Sequence, residues 1–254
     1  RRGCVCIGGS PIVGKGNRTK AEARKFDGER ALKSTIQLTD NGGNNRHMGL
    51  ACPTFSAQGT KLIYISDRDG SMNFYLMDLR TFESTQLTEG KGIFAGGSWF
   101  CAATREIFYW DRNAVKAVEV ETLDERTIYE KGYQGGQLSV SCDGKLVAFS
   151  AKCDHIPGFS EEFRGRTALM TVSARGEGVH PILTSSLPLG RVQFSPVDPD
   201  LIVYSWEGSG SAVAQSAWYT DTSGVAGGPL GAQNPNEIRM DEFFTSSGER
   251  VGYR

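Results

Sequence analysis

The stretch TFSAQGTKLIYIS at positions 54–66 decides the fold, because its pattern returns along the chain. An apolar anchor, Phe55, leads into a polar turn and then into a β-rich run beginning at Leu62. The same template reads as WFCAATREIFYW (99–110), LSVSCDGKLVAFS (138–150), VQFSPVDPDLIVYS (192–205) and FFTSSGERVGYR (243–254). The anchors are Phe55, Phe100, Val140, Phe194 and Phe244. Seven residues after each stands Leu62, Ile107, Val147, Leu201 or Val251, so both positions are apolar in every copy. Successive anchors lie 40 to 54 residues apart.

Each copy continues in the same way. A third strand is expected at NFYLMDL (73–79), AVKAVEV (114–120), TALMTVS (167–173) and SAWYTD (216–221). Alternation with period two is clearest in AVKAVEV. A fourth strand follows in three copies, at STQLT (84–88), RTIYE (126–130) and HPILT (180–184), and STIQLT (34–39) carries the same signature ahead of the first copy as a lone outer strand. Asp-Gly at 69–70 and at 143–144 marks hairpin turns.

Four strands per repeat at this period predict an all-β chain, a β-propeller of four-stranded antiparallel blades. One such sheet cannot bury both of its faces alone, so neighbouring sheets stack and bury each other. A β-sandwich does not require the anchor-plus-seven repeat. The repeats are set at about 52–88, 97–130, 137–184, 190–221 and a shortened 241–254, within a partial propeller over 14–254; residues 1–13 are unassigned. Only the first two strands of the last repeat are present, so the chain reads as a fragment of four to five blades whose open end would leave strand edges unpaired.

Composition narrows the function. Lys plus Arg is 28 against 29 Asp plus Glu, a net charge of −1, which gives no case for a nucleic-acid partner. No apolar run approaches the ~20 residues of a membrane helix. The six cysteines form no CxxC pair and lie at no metal spacing, and several fall inside strand patterns as small hydrophobes, which favours a reducing compartment. GSPIVGK (9–15) matches a phosphate-loop pattern by chance, since Gly16 stands where Ser or Thr is needed and no strand precedes it.

STQLTEGKG (84–92), residues 54–79, GRVQFSPVDPDLIVYSWEG (190–208) and DEFFTSSGERVGY (241–253) resemble the oligogalacturonate lyases; the general blade motifs are shared more loosely with Tol-type and WD40-like propellers. The resemblance implies a seven-bladed propeller in the full protein and a bacterial cytoplasmic enzyme of pectin breakdown. It also implies β-elimination on an acidic galacturonate oligosaccharide, with manganese or another divalent metal. No membrane partner is expected, since no apolar run is long enough, and the oligomeric state is left open. Such chemistry needs a base for the C5 proton and a cation or metal to stabilise charge on the adjacent carboxylate.

The chain departs from the family pattern at three motifs. Arg191 in GRVQ and Trp206 in SWEG stand where the family has histidine, and Asp241 in DEFF replaces a metal-binding histidine. Arg191 stays protonated and is no base, whereas Asp241 keeps oxygens able to bind manganese. Glu207 and Gly208 match the family. Substrate contacts are assigned to Arg46, His47, Arg191 and Glu207, a metal ligand to Asp241, and the catalytic residues are left unknown. A non-catalytic propeller that binds a carbohydrate or a protein is the alternative. KCDHIPGFSEEFRGR (152–166) reads as an insertion, a lid or a short helix from about Phe159. His180 is assigned to a blade edge, and EARKF and ERALK to a solvated leading segment.

Overall fold

An anchor and the residue seven positions later meet across a hairpin. Phe100 pairs with Ile107, Val140 with Val147 and Phe244 with Val251, and Phe55 bridges to Leu62. The spacing in the sequence is therefore the register of the first two strands of a blade. The intervening turns use Gly59 (φ +64°) and Gly144 (φ +74°), in the left-handed region that residues with a Cβ avoid. The fourth copy differs, because Phe194 pairs with Ile202 rather than with the residue seven positions on. Its turn holds Pro196 and Pro199 and is one residue longer: Ser195 N–H reaches Leu201 O, whereas Ser141 N–H reaches Leu146 O. Accordingly Ile202 is buried and Leu201 is partly exposed.

The computed structural model describes residues 14–26, 35–49, 51–56, 58–130, 136–156, 161–207, 213–235 and 237–254. The readings of residues 1–13, Phe159 and Gly208 lie outside them. The chain opens with β1 (Arg18–Thr19), β2 (Arg24–Phe26) and β3 (Thr35–Gln37). The first blade holds β4 (Asn45–Arg46), β5 (Lys61–Ser66), β6 (Asn73–Asp78) and β7 (Ser84–Gln86), and β1 joins it as a fifth strand beside β7. The second holds β8 (Ile93–Cys101), β9 (Glu106–Asp111), β10 (Ala114–Glu119) and β11 (Glu125–Glu130). The third holds β12 (Leu138–Val140), β13 (Leu146–Lys152), β14 (Thr167–Ser173) and β15 (His180–Ser185). The fourth holds β16 (Leu189–Phe194), β17 (Leu201–Trp206), β18 (Ala217–Asp221) and β19 (Gly227–Pro229). A hairpin of β20 (Phe243–Phe244) and β21 (Val251–Gly252) follows. All pairings are antiparallel, as in a β-propeller.

Two features differ from the sequence reading. Thr35–Gln37 is not a lone strand, since it pairs with Arg24–Phe26, part of the segment expected to be merely solvated. Leu38 then packs on Tyr64, Tyr75 and Met77 of the first blade. The fourth blade also gains an outer strand, β19, from the glycine-rich Gly227–Pro229. The insertion after β13 forms two single 3-10 turns, Cys153–His155 and Glu161–Phe163. Ile156 and Phe163 tie it to the core between the second and third blades.

The cores lie between blades. Residues 107–110, Ile-Phe-Tyr-Trp, are all buried although consecutive, because period-two alternation sends them to two seams. Ile107 and Tyr109 join the first-blade core with Ile63, Ile65 and Phe74. Phe108 and Trp110 join the third-blade core with Val147, Phe149 and Met170. A further seam packs Ala148 and Leu169 against Val192, Phe194, Ile202 and Tyr204.

The first strands of successive blades, β8, β12 and β16, contact one another and so form the inner ring. A first strand is an edge strand, and its free N–H groups need partners. The anchors meet this need with side chains from the preceding blade. Phe100 N–H donates to Cys52 Sγ (3.3 Å), Phe194 N–H to Ser139 Oγ (2.9 Å) and Phe244 N–H to Gln193 Oε1 (3.2 Å). Burial pushes the Cys52 thiol up to about 12, so it remains a neutral acceptor.

Candidate functional site

Three residues before the anchors, the inner strands bend. Pairing of β8 with β9 shifts between Ile93 and Ser98, around Gly97, and pairing of β16 with β17 shifts between Gly190 and Gln193, around Arg191. Such bulges re-aim side chains at the rim of a sheet. Arg191 (φ +49°) and Asp241 (φ +56°) both hold a left-handed backbone despite bearing a Cβ, a conformation kept only where surrounding structure enforces it. Each stands three residues before its anchor, and they meet: Arg191 Nη2 is 2.5 Å from Asp241 Oδ1. Arg254 Nη2 is 2.8 Å from Asp241 Oδ2. Gln193 donates from Nε2 to Glu242 O (3.0 Å), which fixes the start of the last hairpin against β16.

Arg191 is the common wall of two clefts. The first is about 510 Å³, open to solvent, and is lined by Asn45, Arg46, His47, Gly49, Gln137 and Arg191, among others. It gathers residues of the first four blades at the inner face, Ala95 and Gly96 coming from the second. The 41–47 loop is tied down by Asn44, whose N–H and Nδ2 donate to Asp67 at 2.6 and 2.7 Å. The Asn44 hydrogen bonds hold the Asp67 carboxyl below its ordinary range. Met48, fully buried, anchors the other end. Arg46 and His47 are left exposed between these two fixed points.

The second cleft, about 130 Å³, is walled by Arg191, Ser205, Trp206, Glu207, Asp241 and Glu242, among others. Glu207 reaches it because Gly190 has no side chain; a Cβ there would lie 2.0 Å from Glu207 Oε1. Gly190 pairs with Ser205, so the motifs GRVQ and SWEG are one strand pair. Glu242 is 3 % exposed and neither carboxylate oxygen has a hydrogen-bond partner. Its pKa is raised by burial, against the lowering charge of Arg191 and with Glu207 and Asp241 adding to the rise. Arg239, on the same wall, is fully engaged. It donates to the carbonyls of Leu230, Gly231 and Ala232 and pairs with Glu237 at 2.8 Å. That pair holds the Glu237 carboxyl down at about 2.

The structure thus unites Arg46, His47 and Arg191 in one cleft and places Glu207 in the other, with Arg191 between. The expectation of a metal ligand at Asp241 does not match this arrangement. Both Asp241 oxygens face guanidinium groups, and among the described residues no group of three or more His, Cys, Asp or Glu comes together. These residues do not fit a divalent cation at Asp241. Trp206 packs against Trp218 with ring centroids 4.5 Å apart and planes tilted by 39°, an aromatic wall where the resemblance implies histidine. Gln137, Ser205 and Glu242 escaped the sequence reading. The first stands three before its anchor, as Arg191 and Asp241 do, and alternation puts Glu242 on the same side as the anchor Phe244.

Bladed four-stranded sheets around a cationic inner rim define the class of this chain, a β-propeller with its candidate site on the inner strands. The chain belongs to the oligogalacturonate lyase family, whose model matches residues 35–254. It is 26% identical over 214 residues to the oligogalacturonate lyase of Dickeya dadantii, across 78% of this chain and 55% of that one. The chain thus spans just over half the length of this curated relative. A solved oligogalacturonate lyase in complex with manganese superposes with a TM-score of 0.83 at 22% identity, covering 94% of this chain and 67% of the other. TolB from Acinetobacter baumannii is a weaker likeness, with a TM-score of 0.56 at 13% identity over 77% of this chain and 47% of that one. Among the described residues no helix is long and apolar enough to cross a membrane.

Proposed function

We propose that the inner face binds the carboxylates of a short galacturonate oligosaccharide and that the reaction it serves is β-elimination. The meeting of Arg46, His47 and Arg191 across one cleft supports this reading. Its volume is within the ~300–1,000 Å³ of small-molecule sites. A guanidinium matches a carboxylate in plane and charge, and Arg191 still has donors beyond the nitrogen held by Asp241. Elimination removes the proton α to the uronate carboxylate. Arg46 and Arg191 stabilise the charge that develops there and the His47 imidazole takes the proton; the electron pair left at C5 forms the C4–C5 double bond as the C4–O bond to the neighbouring sugar breaks, and the leaving oxygen takes a proton from water.

Calorimetric titration with digalacturonate tests the binding. Arg46→Ala is expected to weaken it at least about tenfold, the loss of one charge-assisted contact. Ultraviolet absorbance of an unsaturated uronate, measured with and without manganese, tests the reaction, and His47→Ala is expected to abolish that signal while binding persists. Absence of any titratable binding would refute the proposal. The second reading, a propeller that binds a sugar without chemistry, is favoured by Arg191 and Trp206 at the two motifs where the resemblance implies histidine. Binding with no product in any condition would select it.

A further inference from the structure

We infer that the cleft between Ser205, Trp206 and Glu242 is a second subsite, which takes an uncharged, hydroxyl-bearing ring such as a neutral hexopyranoside. This goes beyond the carboxylate-binding reading and stands on different atoms. Ser205 Oγ, Trp206 Nε1 and both oxygens of Glu242 are buried and have no hydrogen-bond partner, and all three residues wall the same cleft. Buried polar atoms are ordinarily satisfied, and a cluster of exceptions in one cleft points to something that enters it.

The chemistry of the wall selects the occupant. The indole N–H only donates, the hydroxyl does both, and a carboxyl donates or accepts according to its proton. Sugar hydroxyls complement such a mixture. An anion is opposed by Glu242, Asp241 and Glu207, all on the wall. A cation is opposed by Arg191 and Arg239, and the donors include an N–H that cannot ligate it. Trp206, packed at a tilt against Trp218, offers an aromatic surface beside these donors. The volume of about 130 Å³ approaches the ~150 Å³ cavity that takes up benzene, so one edge of a hexose ring fits while the rest stays in solvent.

The test is a titration of methyl β-D-galactopyranoside into the full chain, followed by calorimetry and tryptophan fluorescence. Saturable binding is expected. Trp206→Phe, which keeps the ring and removes the N–H, and Glu242→Leu are each expected to weaken it at least about tenfold, as loss of a buried hydrogen bond does. Glu242→Gln retains affinity within about threefold, because an amide also donates and accepts. Digalacturonate affinity, which reports the Arg46 cleft, changes less than about twofold in Trp206→Phe, so the two readings fail separately. No saturable binding of the galactoside, or binding that Trp206→Phe and Glu242→Leu leave unchanged, overturns the subsite and leaves a cleft filled by water.

Discussion

The seam between the second and third blades and the rim around Arg191 are built on opposite terms. In the seam, Phe108, Trp110, Phe149 and Met170 are fully buried, with Trp110 and Phe149 edge to face at 5.4 Å. At the rim, two side-chain-bearing residues hold left-handed backbone, an aspartate is clasped by two arginines and a buried carboxyl has no partner. The seam is packed by apolar contact and leaves one indole donor, Trp110 Nε1, without a partner, whereas the rim gathers several exceptions within a few residues. Local rules are broken at functional sites and compensated elsewhere. The seams give the fold its stability and allow the rim to be strained.

Substitutions on each side can break this contrast. The largest stability effect is expected from Phe149→Ala, which opens a cavity in the seam and costs about 3–5 kcal/mol by chemical denaturation, with digalacturonate affinity of the folded fraction unchanged. Arg191→Gly reverses the pattern. It relieves roughly 1–2 kcal/mol of left-handed backbone strain and loses a partly exposed ion pair of about that size or less, so net stability stays within about 1 kcal/mol of the parent. Asp241 keeps Arg254. Digalacturonate binding nevertheless falls at least about tenfold. A large stability loss in Arg191→Gly would show that the rim supports the fold after all.

The smallest effect is one of pH. Burial raises the Glu242 pKa from its ordinary 4.5, with Arg191, Glu207 and Asp241 facing it. A carboxyl with a higher pKa folded than unfolded supports the fold below its ordinary pKa and loses that support as pH rises through the raised value. Glu242→Gln does not ionise. Its melting temperature should match the parent at pH 4 and exceed it increasingly as pH rises above that range. An equal offset at all pH values would show that the carboxyl is not desolvated.

The seams were legible because hairpin register is written directly as residue spacing. The anchor-plus-seven spacing coincides with the pairs Phe100–Ile107 and Val140–Val147, and the pairing is offset by one at Phe194, where a proline-bearing turn takes an extra residue. Strand β19 was not legible: Gly227–Pro229 has no strand propensity, and its pairing to Trp218–Thr220 makes it one. Arg46, His47 and Arg191 were readable as polar residues near a rim, but their convergence depends on how the first and fourth blades meet. The ion pairs of Asp241 were not legible, because Arg191 is far from it in sequence and Arg254 is unremarkable there. Glu242 was hidden by its neighbour, although alternation already placed it inward.

The alternation of residues 107–110 between two seams has a further consequence. Strand β9 belongs to both contacts of its blade, so neither neighbour can detach without exposing half of its side chains. The second blade therefore couples its neighbours as a middle link does in a one-dimensional cooperative array, where each unit is stabilised only by those it touches. A defect introduced at one seam is felt one blade away and fades beyond it. Hydrogen exchange is then expected to be slow at Ile107–Trp110, whose side chains are held by both neighbouring blades.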